Sequence, residues 1–252
     1  MNMAATHEPA AILSHLQSAD GSATFSYAGY TVIGAVNGPI EVQRRDELPE
    51  EAVVDVIIRP AAGVGGTRER HLESLLQSTL RQIILINNFP RTLIQITLQV
   101  TVAPENEYVN TKVAQASTNL PILPALVQTA MLALLSAAIP LTATLTSAVI
   151  GIVTEDGINR TVVDPTAREI ELSKSLHVFS FTSNDDVILS ESEGEFSLKE
   201  WNDVLNFARR QCCPPPRSED IDMSDDTPAG ADLRNFTRST MGARIAADLY
   251  WK

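Results

Sequence analysis

Ile94-Gln95-Ile96-Thr97-Leu98-Gln99-Val100-Thr101-Val102 alternates apolar and polar residues without a break, and the later stretch from Val113 to Thr154 contains no charged residue at all. A period of two puts every second side chain on one face, so the first segment reads as a half-buried strand. The uncharged stretch must fill the middle of a core or cross a membrane. Between the two, Ala103 to Pro121 holds Pro104-Glu105-Asn106-Glu107-Tyr108 and a Ser/Thr/Asn-bearing run, a connection of a length that compact domains use sparingly.

A spanning helix needs about 20 consecutive, mostly apolar residues. Pro121, Pro124 and Pro140 break the uncharged stretch, and Gln128 with many Thr and Ser residues interrupts the remainder. The reading is therefore a buried helix, Ala125 to Ala138, followed by a buried strand, Leu145 to Val153, with no membrane partner. A chain of 252 residues with 44% hydrophobic content has enough apolar material for one large domain or two small ones. Its 31 acids against 19 bases, net charge −12, argue against a stand-alone nucleic-acid binder, because neutralising phosphates takes clustered Lys and Arg. Any RNA contact has to be local or shared with a partner. Cys212 and Cys213 are adjacent, so a disulfide between them would be strained, and a reducing intracellular compartment fits best. Met1 to Ala10 lacks the basic-then-apolar order of a secretory signal and reads as a short frayed end.

Upstream of the organising strand, Ala23 to Tyr27 and Thr31 to Val36 flank Ala28-Gly29 as a hairpin, with Gly38-Pro39 punctuating before Ile40 to Val42. Val53 to Ile58, apolar except for Asp55, reads as a central strand ended by Arg59-Pro60. Thr67 is the expected N-cap of a helix whose Leu72, Leu75, Leu76, Leu80, Ile83 and Ile84 recur at helical spacing. Downstream, Thr161 to Val163 is a strand after the turn Glu155-Asp156-Gly157, and Leu176 to Thr182 with Val187 to Ser190 makes another hairpin. Ser197-Leu198-Lys199-Glu200 is a capping box that opens a helix to about Cys212. Ser218 to Asp226 carries five acids and no base and reads as a solvated, disordered segment. Leu233, Phe236, Met241, Ile245 and Leu249 form a helical stripe, expected to dock a terminal helix back onto the body. The class is α+β.

The search for chemistry returns little. His7, His15, His71 and His177 are scattered, with no carboxylate or cysteine at ligand spacing, so no metal site and no cofactor is expected and each histidine reads as surface or loop. No Gly-x-Ser-x-Gly occurs. Gly63-Val64-Gly65-Gly66-Thr67 precedes a helix but lacks the Lys-Ser/Thr ending of a phosphate loop.

A series of motifs carries a family resemblance: Asp20-Gly21-Ser22-Ala23, Val36-Asn37-Gly38-Pro39-Ile40-Glu41-Val42, Ile58-Arg59-Pro60, Phe89-Pro90-Arg91-Thr92, Ala130 to Pro140 and Val163-Asp164-Pro165-Thr166. In this order they resemble the RNase PH family, and within it a ring subunit of the RNA exosome in a fungal-looking version with insertions. The resemblance implies an RNase PH fold (ribosomal protein S5 domain 2-like) over residues 20–212 with a polar insertion at 103–121. An N-terminal segment at 1–19, a Pro-rich acidic insertion at 213–230 and a C-terminal helix at 231–252 complete the expected organisation. It also implies a six-membered ring of RNase PH-like partners, S1/KH cap subunits, an associated hydrolytic exoribonuclease and RNA threaded through the pore. A location in nucleus, nucleolus and cytoplasm goes with that assembly.

Departures from the family pattern bear on activity. Active relatives place a phosphate-gripping loop between the organising strand and the buried helix, where this chain has Pro104 to Asn119. They also carry two aspartates at the positions of Ile170 and Leu176, while Glu169 is kept. Phosphorolysis needs a held phosphate and a proton donor or metal at the leaving oxygen. The expectation is a non-catalytic subunit; the alternative is an active phosphate-dependent exoribonuclease with a rearranged site. Arg91 matches the family's phosphate-contacting arginine, a relic of the site or an arginine now paired with an acid. Arg68 and Arg70 fall in the segment that lines the pore entrance in related rings, as RNA contacts or as a solvated helix start.

Overall fold

The computed structural model describes residues 8–104, 120–155, 158–213 and 231–250. Most of the polar insertion, the turn residues 156–157 and the acidic segment 214–230 lie outside the described residues. Among the described residues are strands β1 (Ala10–Leu13), β2 (Gly21–Tyr27), β3 (Tyr30–Glu41) and β4 (Val53–Arg59), helix α1 (Thr67–Ile83) and β5 (Thr92–Val102). Helix α2 (Leu123–Ser136), β6 (Leu145–Glu155), β7 (Ile158–Val163), α3 (Ala167–Leu172), β8 (Ser173–Thr182), β9 (Val187–Gly194), α4 (Leu198–Cys212) and α5 (Leu233–Asp248) follow.

The first sheet has the order β1-β2-β3-β5-β4, antiparallel except for the β4–β5 pair. Period-two alternation aligns across it, because Val54 pairs with Ile94, Val56 with Ile96 and Val36 with Ile96 on the other side. These residues and Phe25 form one buried face, on which α1 covers β4 and α2 covers β2 and β3. The second sheet, β7-β6-β8-β9, is fully antiparallel. Leu145, Val149, Leu176 and Val178 face α2, while Ala148, Ile150, Ile152, Phe179 and Phe181 face α4 in a separate core with Val204 and Ala208.

Helix α2 is thus the middle layer, and every residue from Leu123 to Leu134 is buried. Its seating depends on two glycines. A Cβ at Gly21 would stand 2.5 Å from the Ala133 carbonyl oxygen, and one at Gly34 would stand 2.8 Å from the Thr129 methyl. No described helix is long and apolar enough to cross a membrane.

Several local expectations are corrected. Strand β4 is an edge strand, not a central one. Helix α1 shields it, and its open edge is occupied by side chains: the Ile58 N–H donates to Glu73 Oε1 at 2.8 Å and Gln77 Nε2 donates to the Val54 carbonyl at 2.7 Å. An apolar run in sequence reports burial under a helix as readily as a central place in a sheet. The α1 N-cap is Gly66, whose N–H donates to Glu69 Oε2 at 2.6 Å, so Thr67 is the first helical residue. Strands β1 and the long β9, and the short helix α3, were not anticipated at these bounds. The α4 capping box is present as expected, with Glu200 N–H donating to Ser197 Oγ at 3.2 Å and Ser197 N–H to Glu200 Oε2 at 2.8 Å. Those bonds and Lys174 hold the Glu200 carboxylate down at about 2. Helix α5 docks only by its first half: Leu233 and Thr237 are buried, whereas Ile245 and Leu249 are about half exposed.

Candidate functional site in the cleft at the N-terminus of the buried helix

The β2–β3 hairpin, the N-terminus of α2 and the end of β7 converge on a small cleft lined by Tyr27, Tyr30, Pro124, Ala125, Asp164 and Pro165 among others. Asp164 follows β7 with φ +48°, and its N–H donates to the Val149 carbonyl at 3.0 Å. Its carboxylate accepts a hydrogen bond from the Tyr27 hydroxyl, a contact across 137 residues that ties the two sheets together. Burial first, and then the Asp164 charge, push the Tyr27 phenol well above its usual range. The phenol therefore stays a protonated donor.

A helix N-terminus attracts anions through its unpaired N–H groups. At α2 the Leu123 N–H is already spent on the Leu120 carbonyl at 3.1 Å, and Pro124 has none to offer. The Leu126 N–H closes the first turn on the Ile122 carbonyl at 3.1 Å. The Asp164 carboxylate, which lines the same cleft, repels a phosphate there.

Leu176 lies behind that wall. It pairs with Gly151, where an added Cβ would meet Pro165 at 3.3 Å and the Leu176 methyl at 3.7 Å. Leu176 is buried, and Ile170 is partly buried against the same core. Glu169 accepts both the Thr166 N–H and the Thr166 hydroxyl at 2.8 Å, closing the capping box of α3 on its N-cap Thr166.

Arg91 has φ +61° at the head of β5, and its Nε lies 3.3 Å from Glu47 Oε1. The eleven residues of β5 put it roughly 35 Å from the strand's far end, the end near the N-terminus of α2. The structure does not bring Arg91 together with the cleft. Arg68 and Arg70 start α1, beside the exposed loop 61–66 and close to Arg59, which pairs with Gln99. Arg70 is exposed and Arg68 partly buried, at the same end of the sheet as the cleft but over β4 rather than β3.

The expectation of surface histidines fails at His177. The ring is buried in β8, with Nδ1 2.8 Å from Ser192 Oγ and Nε2 3.0 Å from Ser175 Oγ, and burial lowers its pKa below the usual histidine value. Two serines, one of them two residues away in sequence, were the available signal. Arg234 of α5 was missed as well. Its Nη2 donates to the Thr182 carbonyl at 2.9 Å, Asp185 Oδ1 at 2.8 Å and Cys213 Sγ at 3.1 Å. Both cysteines are free thiols, and burial pushes Cys213 up to about 11, an unreactive range. Among the described residues no group of three potential metal ligands is present.

Comparison with known proteins places this geometry. The models of the 3′ exoribonuclease family match residues 9–140 (domain 1) and 142–211 (domain 2). The chain is 34% identical over 207 residues to the exosome complex component RRP46 of Saccharomyces cerevisiae, spanning 80% of this chain and 87% of that protein. The crystal structure of rice (Oryza sativa) Rrp46 superposes with TM-score 0.72 at 25% identity, over 93% of this chain and 95% of that one. A chain of an archaeal exosome core shares the fold, with TM-score 0.60 at 15% identity over 81% and 83% of the two chains. The fold is the α+β RNase PH fold that the motif series led one to expect, and the chain belongs to the RNase PH, or 3′ exoribonuclease, family.

Proposed function

We propose that this chain is a non-catalytic ring subunit of an RNA exosome core, which supports RNA processing and degradation from the 3′ end through assembly and RNA channelling. The observation that carries the reading is the cleft at α2. The Leu123 N–H is spent and Pro124 has none, a carboxylate lines the same cleft, and the two positions where active relatives carry aspartates hold Ile170 and buried Leu176. A phosphorolytic site needs the reverse, donors for phosphate and an acid or metal for the leaving oxygen. The names of the relatives support exosome membership, and ring assembly supplies the partner surfaces such a subunit needs. In that setting other RNase PH-like subunits are its ring neighbours, S1/KH subunits its cap, and a hydrolytic exoribonuclease the source of cleavage. Arg68 and Arg70 are the RNA contacts on this reading, and the assembly works in nucleus, nucleolus and cytoplasm.

The test is direct. Purified chain, alone and within a reconstituted ring, is incubated with 3′-labelled RNA and inorganic phosphate. No nucleoside diphosphate is expected from this chain, and incorporation into the ring is expected by native mass spectrometry. Phosphate-dependent release of nucleoside diphosphates by the isolated chain would establish the rival reading, an active exoribonuclease. A fluorescent fusion that stays out of the nucleus would overturn the localisation.

A further inference from the structure

The root of α5, from Leu233 to Thr237, touches both sheets and two other helices. The Phe236 ring lies 5.9 Å from that of Phe25 in the first sheet, and the Thr237 hydroxyl accepts from Gln128 Nε2 of α2 at 2.5 Å. Arg234 reaches the β8–β9 turn and the end of α4 through the Thr182 carbonyl, Asp185 and Cys213. Beyond this root the helix is not held: Ile245, Leu249 and Tyr250 all stand in solvent.

The root itself is incompletely satisfied. Among the described residues, two buried side-chain polar atoms have no hydrogen-bond partner, Gln128 Oε1 and Arg234 Nε, and both belong to this joint. Turning the Gln128 amide over gives no relief. The Thr237 hydroxyl spends its proton on the Leu233 carbonyl at 2.8 Å, so it can only accept, and the amide has to present its N–H side. Thr129, the neighbouring buried polar residue of α2, is by contrast satisfied by the Ala125 carbonyl at 2.6 Å. A buried acceptor without a donor has lost its hydration for nothing, and separation of α5 from α2 gives that hydration back. The joint therefore carries a penalty that opening removes.

We infer that α5 is a strap that opens as one unit while the two sheets and α2 stay folded, and that Gln128 sets how often it opens. Opening bares Phe25 and Gln128 and frees the β8–β9 turn from the end of α4. It makes α5 a two-state element whose balance any molecule preferring one state can shift. The inference does not depend on whether the chain is catalytic.

The experiment is amide hydrogen exchange by NMR on the full-length chain, as wild type, Gln128→Leu, Thr237→Val and the double variant, with circular dichroism to establish folding. In wild type the amides from Thr237 to Met241 are expected to exchange at one common opening equilibrium, at least about tenfold more open than that of β5. Gln128→Leu removes the orphaned acceptor and is expected to slow the whole α5 set about fivefold. Thr237→Val leaves both Gln128 amide groups without partners and is expected to speed it about tenfold, an effect that vanishes in the Gln128→Leu background. Protection that declines gradually from Leu233 to Asp248 is end fraying and refutes the strap, as does an α5 that exchanges as slowly as β5. If α5 opens as a unit but Gln128→Leu leaves its exchange unchanged or speeds it, water satisfies Gln128 Oε1 in solution and the role assigned to that residue falls. If Gln128→Leu does not fold, Thr237→Val, which leaves α2 untouched, decides alone: unchanged exchange overturns the inference.

Discussion

Replacing Leu176 by Asp puts back the carboxylate that active relatives carry, and the structure gives its cost. Leu176 is 5% exposed and packs in the core under α2. Truncating a buried leucine costs about 2–5 kcal/mol in lost transfer energy and cavity. The new carboxylate also sits where Gly151, Pro165 and the core surround it, and desolvation raises a buried carboxyl by several units. A rise from about 3.9 unfolded to roughly 7 folded adds about 4 kcal/mol at neutral pH. The sum, roughly 6–9 kcal/mol, is comparable with the whole stability of a typical domain, about 5–15 kcal/mol. The sign follows from proton counts. The folded state keeps its proton where the unfolded state has lost it, so stability of the variant relative to wild type falls as pH rises from about 4 to about 7. Guanidinium melts at pH 5 and pH 8 should therefore differ by roughly 2–3 kcal/mol more for Leu176→Asp than for wild type. A variant as stable as wild type at both pH values, or one that gains phosphorolysis, would refute the claim that this position has become core.

Gly21→Ala forces a Cβ to within 2.5 Å of the Ala133 carbonyl oxygen, and a loss of about 1–3 kcal/mol is expected in chemical denaturation as α2 is pushed off the sheet. Ser197→Ala removes the α4 cap and is expected to lower stability by about 1 kcal/mol. In wild type the Glu200 carboxyl should titrate at about 2 by carbon-detected NMR, and in Ser197→Ala its midpoint should move up. Because its folded pKa is depressed, any stability it contributes is present above the ordinary glutamate range and lost as pH falls toward 2. Arg234→Met removes three hydrogen bonds at the root of α5, and faster amide exchange confined to Leu233–Asp248 is the expected result.

The alternation in β5 and the uncharged run of α2 were legible because burial on one face, or on every face, writes itself into composition. What escaped was set by contacts between distant elements. Val53 to Ile58 looked central because a strand shielded by a helix needs the same apolar side chains as one between two strands. That Glu73 and Gln77 close its open edge cannot be seen without the register of α1. The Tyr27–Asp164 bond spans two sheets, and nothing local marks either residue as a partner. Of the α5 stripe, Leu233 and Phe236 dock while Ile245 and Leu249 do not, because periodicity records an apolar face and not whether this chain supplies the surface that covers it. At the cleft, sequence alone named Ile170 and Leu176 as apolar, but their burial, and the bond that occupies the Leu123 N–H, follow only from how the elements pack.

The seating of α2 explains how such a fold keeps its architecture under a changed site. The contacts that fix the helix, Gly21 against Ala133 and Gly34 against Thr129, lie along its middle and C-terminal turns, away from Pro124. The N-terminal turn packs through the fully buried side chains of Leu123, Leu126 and Val127, so a position there that offers no N–H, such as Pro124, leaves the helix seated. Leu176 and Ile170 go further, since an apolar residue beside Gly151 and Pro165 adds buried contact where a carboxylate would carry a desolvation penalty. On the proposed reading, loss of catalysis and gain of stability are the same substitutions. An enzyme must hold this cleft polar against that gradient, and a ring subunit freed of chemistry has no reason to.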